Sequence, residues 1–200
     1  GDKPGARAAY LKALALDAAF LPAELNLTRL DVEEGNLAAA RDRLQRILQK
    51  RPEDPQATFE LAALEEAAGN DTEALRWLEK LHANDHGNVL ATARLVDLLL
   101  RGVMKEKALT VARETSAVAP EDLAALAALG KVHVALGDDK QAQVFFDRMT
   151  RLAAFDAGWQ HRIAQYQLSA NNPEGAIHSL ERALESEPRH LPALVLLTEV

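Results

Sequence analysis

The stretch EEGNLAAARDRLQRILQKRPED at 33–54 is rewritten as AAGNDTEALRWLEKLHANDHGN at 67–88, as ALGDDKQAQVFFDRMTRLAAFD at 135–156 and as SANNPEGAIHSLERALESEPRH at 169–190. Laid out with a period of 34, the chain needs no insertion anywhere. One column reads Ala6, Ala40, Ala74, Ala108, Ala142, Ala176, and a second reads Leu27, Leu61, Leu95, Leu129, Ile163, Leu197. A third reads Ala23, Ala57, Ala91, Ala125, Trp159, Ala193. Three columns in one register mark a tandem repeat, and a period of this size belongs to stacked supersecondary units.

Each unit carries the signals of two helices. Asp54, Asn88, Asp122 and Asp156 stand one period apart before apolar runs, where a side-chain oxygen can cap orphan amides. Pro55 falls at a first helical position, where its missing N–H is not needed. Gly35, Gly69 and Gly137 fall where the first helix must end in a left-handed residue, and Asn172-Pro173-Glu174 opens a second helix. Two antiparallel helices of about 13 residues result, neither able to bury its apolar face alone. The Ala column lets the second helix approach the first, and the aliphatic column supplies the knob between them.

Composition agrees. Hydrophobic residues make up 48% and aromatics only 4%, so Ala and Leu fill the core, together with residues that lose little on entering a helix. The expected fold is all-α: a superhelical solenoid of stacked antiparallel helix pairs with period 34. A net charge of -7 with no Lys/Arg block opposes nucleic-acid binding, which needs a cationic face. With no cysteine, disulfides, zinc–thiolate sites and thiol catalysis are excluded. Apolar runs such as LVDLLL are far too short for a bilayer, so no membrane insertion is expected of this segment.

These marks resemble the tetratricopeptide repeat (TPR) family over nearly the whole chain. The family's small first-helix residue is matched by Ala62, Gly130 and Ala164, and its small second-helix residues by the Ala40 column and by Ala13 and Ala183. Its large residue is matched by Tyr10, Leu44, Leu78, Phe146 and Leu180, and its closing Pro by Pro52, Pro120 and Pro188. The chain departs from the family at the early Trp, replaced by Glu24, Thr58, Thr92, Leu126 and Gln160. It also departs at Val103, where the inter-helix Gly is expected and Gly102 stands one residue early.

The resemblance implies one solenoid over 1–200. Residues 3–18 are the second helix of a partial repeat, 21–54, 55–88, 89–122, 123–156 and 157–190 are full repeats, and 191–200 begin another. With no initiator Met and no polar capping helix, the segment reads as a window on a longer array. FLPAELNLTRLDVEEGN followed by LAAARDRLQRIL is also similar to the TPR-repeat lipoproteins that accompany bacterial exosortase/PEP-CTERM exopolysaccharide systems. That similarity implies a periplasmic parent anchored to the outer membrane; without it, a cytoplasmic location is expected.

Chemistry is harder to find. His82 and His86 are spaced i, i+4, but His86 takes the place of a helix-ending Pro, so no metal centre is expected there. The serines lack an elbow motif, no glycine loop suits phosphate, and the carboxylates read as exposed helix surface. No catalytic residue and no cofactor are expected.

What the resemblance implies instead is a partner polypeptide held on the first-helix face. By register that face offers Leu25, Asn26, Arg29 and Phe59, then Leu90, Arg94, Leu100 and Arg101, then Lys131 and Val134, and lastly His161, Arg162 and Gln165. Arg29 stands against Glu33, Glu60 and Glu66, whereas Arg94, Arg101, Lys131 and Arg162 stand against Asp97 alone. An anionic stretch of partner is therefore expected toward the Arg94–Arg162 end. Capture of an EEVD-type tail is not expected, because Leu25, Arg29, Glu60 and Leu90 occupy the positions of the clamp's Lys and Asn. Two other roles remain open: a structural stalk of an enzyme or polysaccharide-export complex, and end-to-end self-association through Leu194, Leu196 and Leu197.

Overall fold

The computed structural model describes residues 2–200, and among them every regular element is a helix and none is a strand. The chain forms two compact units, Gly1–Asn84 and Asp85–Val200. The first holds α1 (Lys3–Leu16), α2 (Leu21–Glu33), α3 (Leu37–Lys50), α4 (Pro55–Ala67) and α5 (Asp71–Asn84). The second holds α6 (Val89–Arg101), α7 (Lys105–Val118), α8 (Leu123–Leu136), α9 (Asp139–Leu152), α10 (Ala157–Ser169), α11 (Pro173–Ser186) and α12 (Leu191–Glu199). Within each unit consecutive helices pack as pairs, as the 34-residue register requires.

The ends of the helices follow from the capping residues. The Asp54 carboxylate accepts from the Ala57 amide at 2.8 Å, Asn88 Oδ1 from Ala91 at 3.1 Å, and Asp156 from Trp159 at 2.9 Å. Asp122 accepts from both Ala124 and Ala125. The first helix of each pair ends on a left-handed residue at one register position: Gly35, Gly69, Val103, Gly137 and Asn171, with φ of 79, 79, 60, 78 and 52°. Gly102 stays right-handed at φ -78°, so Val103 itself makes the turn that glycine makes elsewhere.

Packing explains the columns. Ala40, Ala74, Ala108, Ala142 and Ala176 are fully buried, as are Leu27, Leu61, Leu95 and Ile163. A further pair of positions trades volume between the two helices of a repeat. Ala62 faces the register of Leu78, and Ala164 that of Leu180, while the third repeat reverses the sizes with Val96 and Ala112. The fourth exaggerates them: a Cβ on Gly130 would collide with the Phe146 ring.

Where the family has Trp, this chain has the apolar Leu126 in one repeat and hydrogen-bonding side chains in the others. Thr58 donates to the Asp54 carbonyl at 2.7 Å, and Thr92 pairs with Thr115 at 2.7 Å in a buried contact. The Gln160 amide is fully buried and donates to the carbonyls of Thr150 and Ala153, both at 2.9 Å, at the end of α9. These polar replacements are tolerated because each makes at least one hydrogen bond, although the Gln160 Oε1 stays buried without a partner.

Not all carboxylates lie on exposed faces, contrary to the expectation from sequence. Asp31 and Glu65 are only 3% and 6% exposed. Asp31 accepts from Arg7 at 2.8 Å and from Arg43 at 3.2 Å, linking α1, α2 and α3. Glu65 takes a two-pronged bond from Arg41, at 2.6 and 2.9 Å, and a third from the Asn70 amide. Burial is sustained because each carboxylate has more than one charge-assisted donor.

Candidate functional site

The first-helix face of the Asp85–Val200 unit is built on α6, α8 and α10, with α8 packed directly against α6 and α10. Close approach is allowed by Ala127 and Ala128, which are buried on α8. On α6, the spacing of Leu90, Arg94, Asp97 and Arg101 keeps one side of the helix in common. Leu90 is 72% exposed, Arg94 and Leu100 are half-buried and Arg101 is exposed. From α8, Lys131 forms an ion pair with Asp97, tying the two helices together across this face. Val134, one turn on, leans against the core of α8–α10.

On α10, Arg162 and Gln165 are exposed and His161 is half-buried. The Arg162 guanidinium lies over the Trp159 ring at 5.2 Å, close enough for a cation–π contact. The His161 ring meets that of His190 at 5.8 Å, and His161 is held below the ordinary histidine value by burial first, then by His190 and Arg162. Arg94, Arg101, Lys131 and Arg162 thus stand on this face together with Asp97, which Lys131 engages.

In the Gly1–Asn84 unit the expected residues are arranged differently. Arg29 reaches Glu60 at 3.2 Å, pairing α2 with α4, and the Asn26 amide turns back to the Pro22 carbonyl at 2.8 Å. Phe59 is half-buried. Leu25 is a correction: it is 5% exposed and lies in the core with Ala57, Leu61 and Leu64 of α4, so it offers nothing to a ligand. Stacking α4 onto α2 covers it.

A second feature of the Asp85–Val200 unit was not anticipated. At the N-terminal ends of α6, α8 and α10, Val89, Leu90, Leu123, Ala124 and Trp159 line a cleft of about 420 Å³, with Glu121 and Asp122 on its rim. The signal was in plain view, since Trp159 breaks a column that is otherwise all alanine.

His82 and His86 do not share a helix, because α5 ends at Asn84. No helix among the described residues is long and apolar enough to cross a membrane.

This fold is that of the tetratricopeptide repeat class. The tetratricopeptide repeat family model matches residues 25–88, and solved TPR structures extend the likeness over most of the chain. TTC0263, a thermophilic TPR protein of Thermus thermophilus, is 24% identical with a TM-score of 0.66, over 88% of this chain and 97% of that one. MamA (41-end) of Desulfovibrio magneticus RS-1 is 17% identical with a TM-score of 0.65, over 88% and 98% of the two chains. YrrB, described as a TPR protein with an unusual peptide-binding site, is 18% identical with a TM-score of 0.60, over 96% and 98%. At these identities the likeness establishes the fold alone. No curated protein sequence matches the chain.

Proposed function

We propose that this chain is a non-catalytic scaffold that holds a partner polypeptide on the first-helix face of residues 85–200. The carrying observation is the set of cations that the register places on one face of α6, α8 and α10: Arg94, Arg101, Lys131 and Arg162, with Asp97 among them. A chain with net charge -7 that concentrates positive charge on one face of one unit suits an anionic stretch of partner. Affinity comes from charge-assisted hydrogen bonds to the arginines and from apolar contacts at Leu90, Leu100 and Val134. Changing Arg94 and Arg162 together to Glu and titrating the native partner tests the reading; a ten-fold or greater loss is expected, and unchanged affinity defeats the assigned face.

The similarity of residues 20–48 to TPR lipoproteins of exopolysaccharide systems supports a scaffold role in that machinery. A pull-down from the native host with the intact parent protein tests it. A second reading is self-association through α12: of the three leucines expected to be exposed there, Leu196 and Leu197 pack against the core, and Leu194 is exposed with Leu191 and Val195. Light scattering over a concentration series decides it, a strict monomer counting against.

A further inference from the structure

In the column that Trp159 interrupts, Ala23, Ala57, Ala91, Ala125 and Ala193 are all fully buried. The fold therefore needs only a methyl group at this position. Trp159 is half-buried: one part packs against the core of α8–α10, and the rest faces the cleft beside Leu90. A residue present only to fill space would be enclosed, and this one is not. Leu90, on the other side of the cleft, is 72% exposed, so two large apolar side chains flank one open space.

The cleft carries acid beside its apolar walls. The Asp122 carboxylate is committed to the amides of Ala124 and Ala125. Glu121 beside it is 75% exposed, and its contact with Arg148 is at 4.0 Å, loose enough for an incoming cation to compete. Arg162 of the first-helix face lies over the Trp159 ring at 5.2 Å, which connects that ring to the face.

We propose that this cleft is the anchor pocket of the polypeptide site. It takes a bulky apolar side chain between Leu90 and Trp159, from a segment whose neighbouring residue is Lys or Arg and meets Glu121. The inference rests on the polypeptide-binding reading above, and adds to it the chemistry and direction of the ligand: a basic–apolar head at the cleft, followed by an acidic body along Arg94 and Arg162.

The test uses the full chain with Trp77→Phe, which leaves Trp159 as the sole tryptophan. The probe is a short capped peptide with a Lys-Phe head and a Glu/Asp-rich body; controls replace Phe by Ser or Lys by Glu. Binding of the first peptide is expected to shift Trp159 emission, and each control is expected to bind at least five-fold more weakly. By calorimetry, Trp159→Ala and Leu90→Ser are expected to weaken binding at least ten-fold, with Trp159→Phe restoring most of it. Circular dichroism of Trp159→Ala is expected to hold, because Ala is the residue of the column, with a modest fall in Tm for the part of the ring that packs against the core. If Arg94→Glu abolishes binding while Trp159→Ala and Leu90→Ser do not, the basic face stands and the anchor pocket is overturned. If the cleft variants lose binding and Arg94→Glu does not, the pocket stands and the assigned basic face falls. Failure of the Lys-Phe peptide to bind at millimolar concentration overturns the pocket as described.

Discussion

Gly130 of α8 and Phe146 of α9 occupy one volume: the phenyl ring sits where any Cβ on Gly130 would have to go. A helix-interior glycine costs about 1 kcal/mol relative to alanine, so on propensity alone Gly130→Ala would stabilise. Phe146 is fully buried, however, and has nowhere to retreat. Overpacking is expected to win, with a net loss of about 1–3 kcal/mol in chemical denaturation. The double variant Gly130→Ala/Phe146→Leu recreates the Ala–Leu pairing of Ala62 with Leu78 and Ala164 with Leu180, and is expected to recover most of the loss. A double variant as unstable as the single one would mean that the two positions do not trade volume.

Val103 is the β-branched member of a left-handed series otherwise made of Gly35, Gly69, Gly137 and Asn171. Left-handed backbone at a non-glycine residue stores about 1–3 kcal/mol, and glycine returns part of that gain through its freer unfolded state. Val103→Gly is expected to stabilise by about 1 kcal/mol, and Val103→Asn by less, since Asn171 shows that asparagine accepts the same turn. Scanning calorimetry checks it; a lower Tm for the glycine variant would show that the exposed Val103 side chain contributes more than its backbone costs.

Much of this architecture was legible because it is local. N-caps at Asp54, Asn88, Asp122 and Asp156, and left-handed turns at Gly35, Gly69 and Gly137, depend on neighbours within a few residues. What stayed hidden depends on the next helix over. Leu25 looks like a groove residue by register until α4 is laid on it. Asp31 and Glu65 look like solvated acids until Arg7 and Arg41, each 24 residues upstream, are brought beside them. The cleft under Trp159 needs three helix ends in place before it exists.

The Arg41–Glu65 pair makes the cost of burial measurable. Arg41→Ala leaves Glu65 with Asn70 as its remaining partner and is expected to cost about 1–3 kcal/mol at neutral pH, the upper figure reduced because the Arg41 side chain is 32% exposed. The Glu65 carboxyl is held below the ordinary glutamate range, chiefly by the Arg41 hydrogen bonds against the opposing pull of burial. Its stabilisation is therefore fully present above the unfolded value of about 4.3 and is lost as pH falls through the lower folded value. The gap between parent and Arg41→Ala is expected to be widest above about pH 5 and to close as pH falls through the lowered folded value of Glu65. Replacing both residues by Leu, the types found one period on at positions 75 and 99, is expected to be neutral or stabilising. A gap independent of pH would remove Glu65 as the group responsible.

His161 and His190 join α10 to the start of α12, and the buried side of that joint is sensitive to pH through His161. His190 Nδ1 accepts the Ala193 amide at 3.3 Å as the N-cap of α12, a role open only to an unprotonated nitrogen. Across the 5.8 Å contact, burial and then the charges of His190 and Arg162 hold His161 neutral below the ordinary histidine value. A depressed folded value means that the His161 contribution is complete above about pH 6.5 and is lost as pH falls through the folded value. Stability in chemical denaturation is therefore expected to fall on going from pH 7.5 to pH 5, and His161→Gln is expected to flatten that fall. Identical pH profiles for parent and His161→Gln would show that the His161 imidazole does not govern the joint.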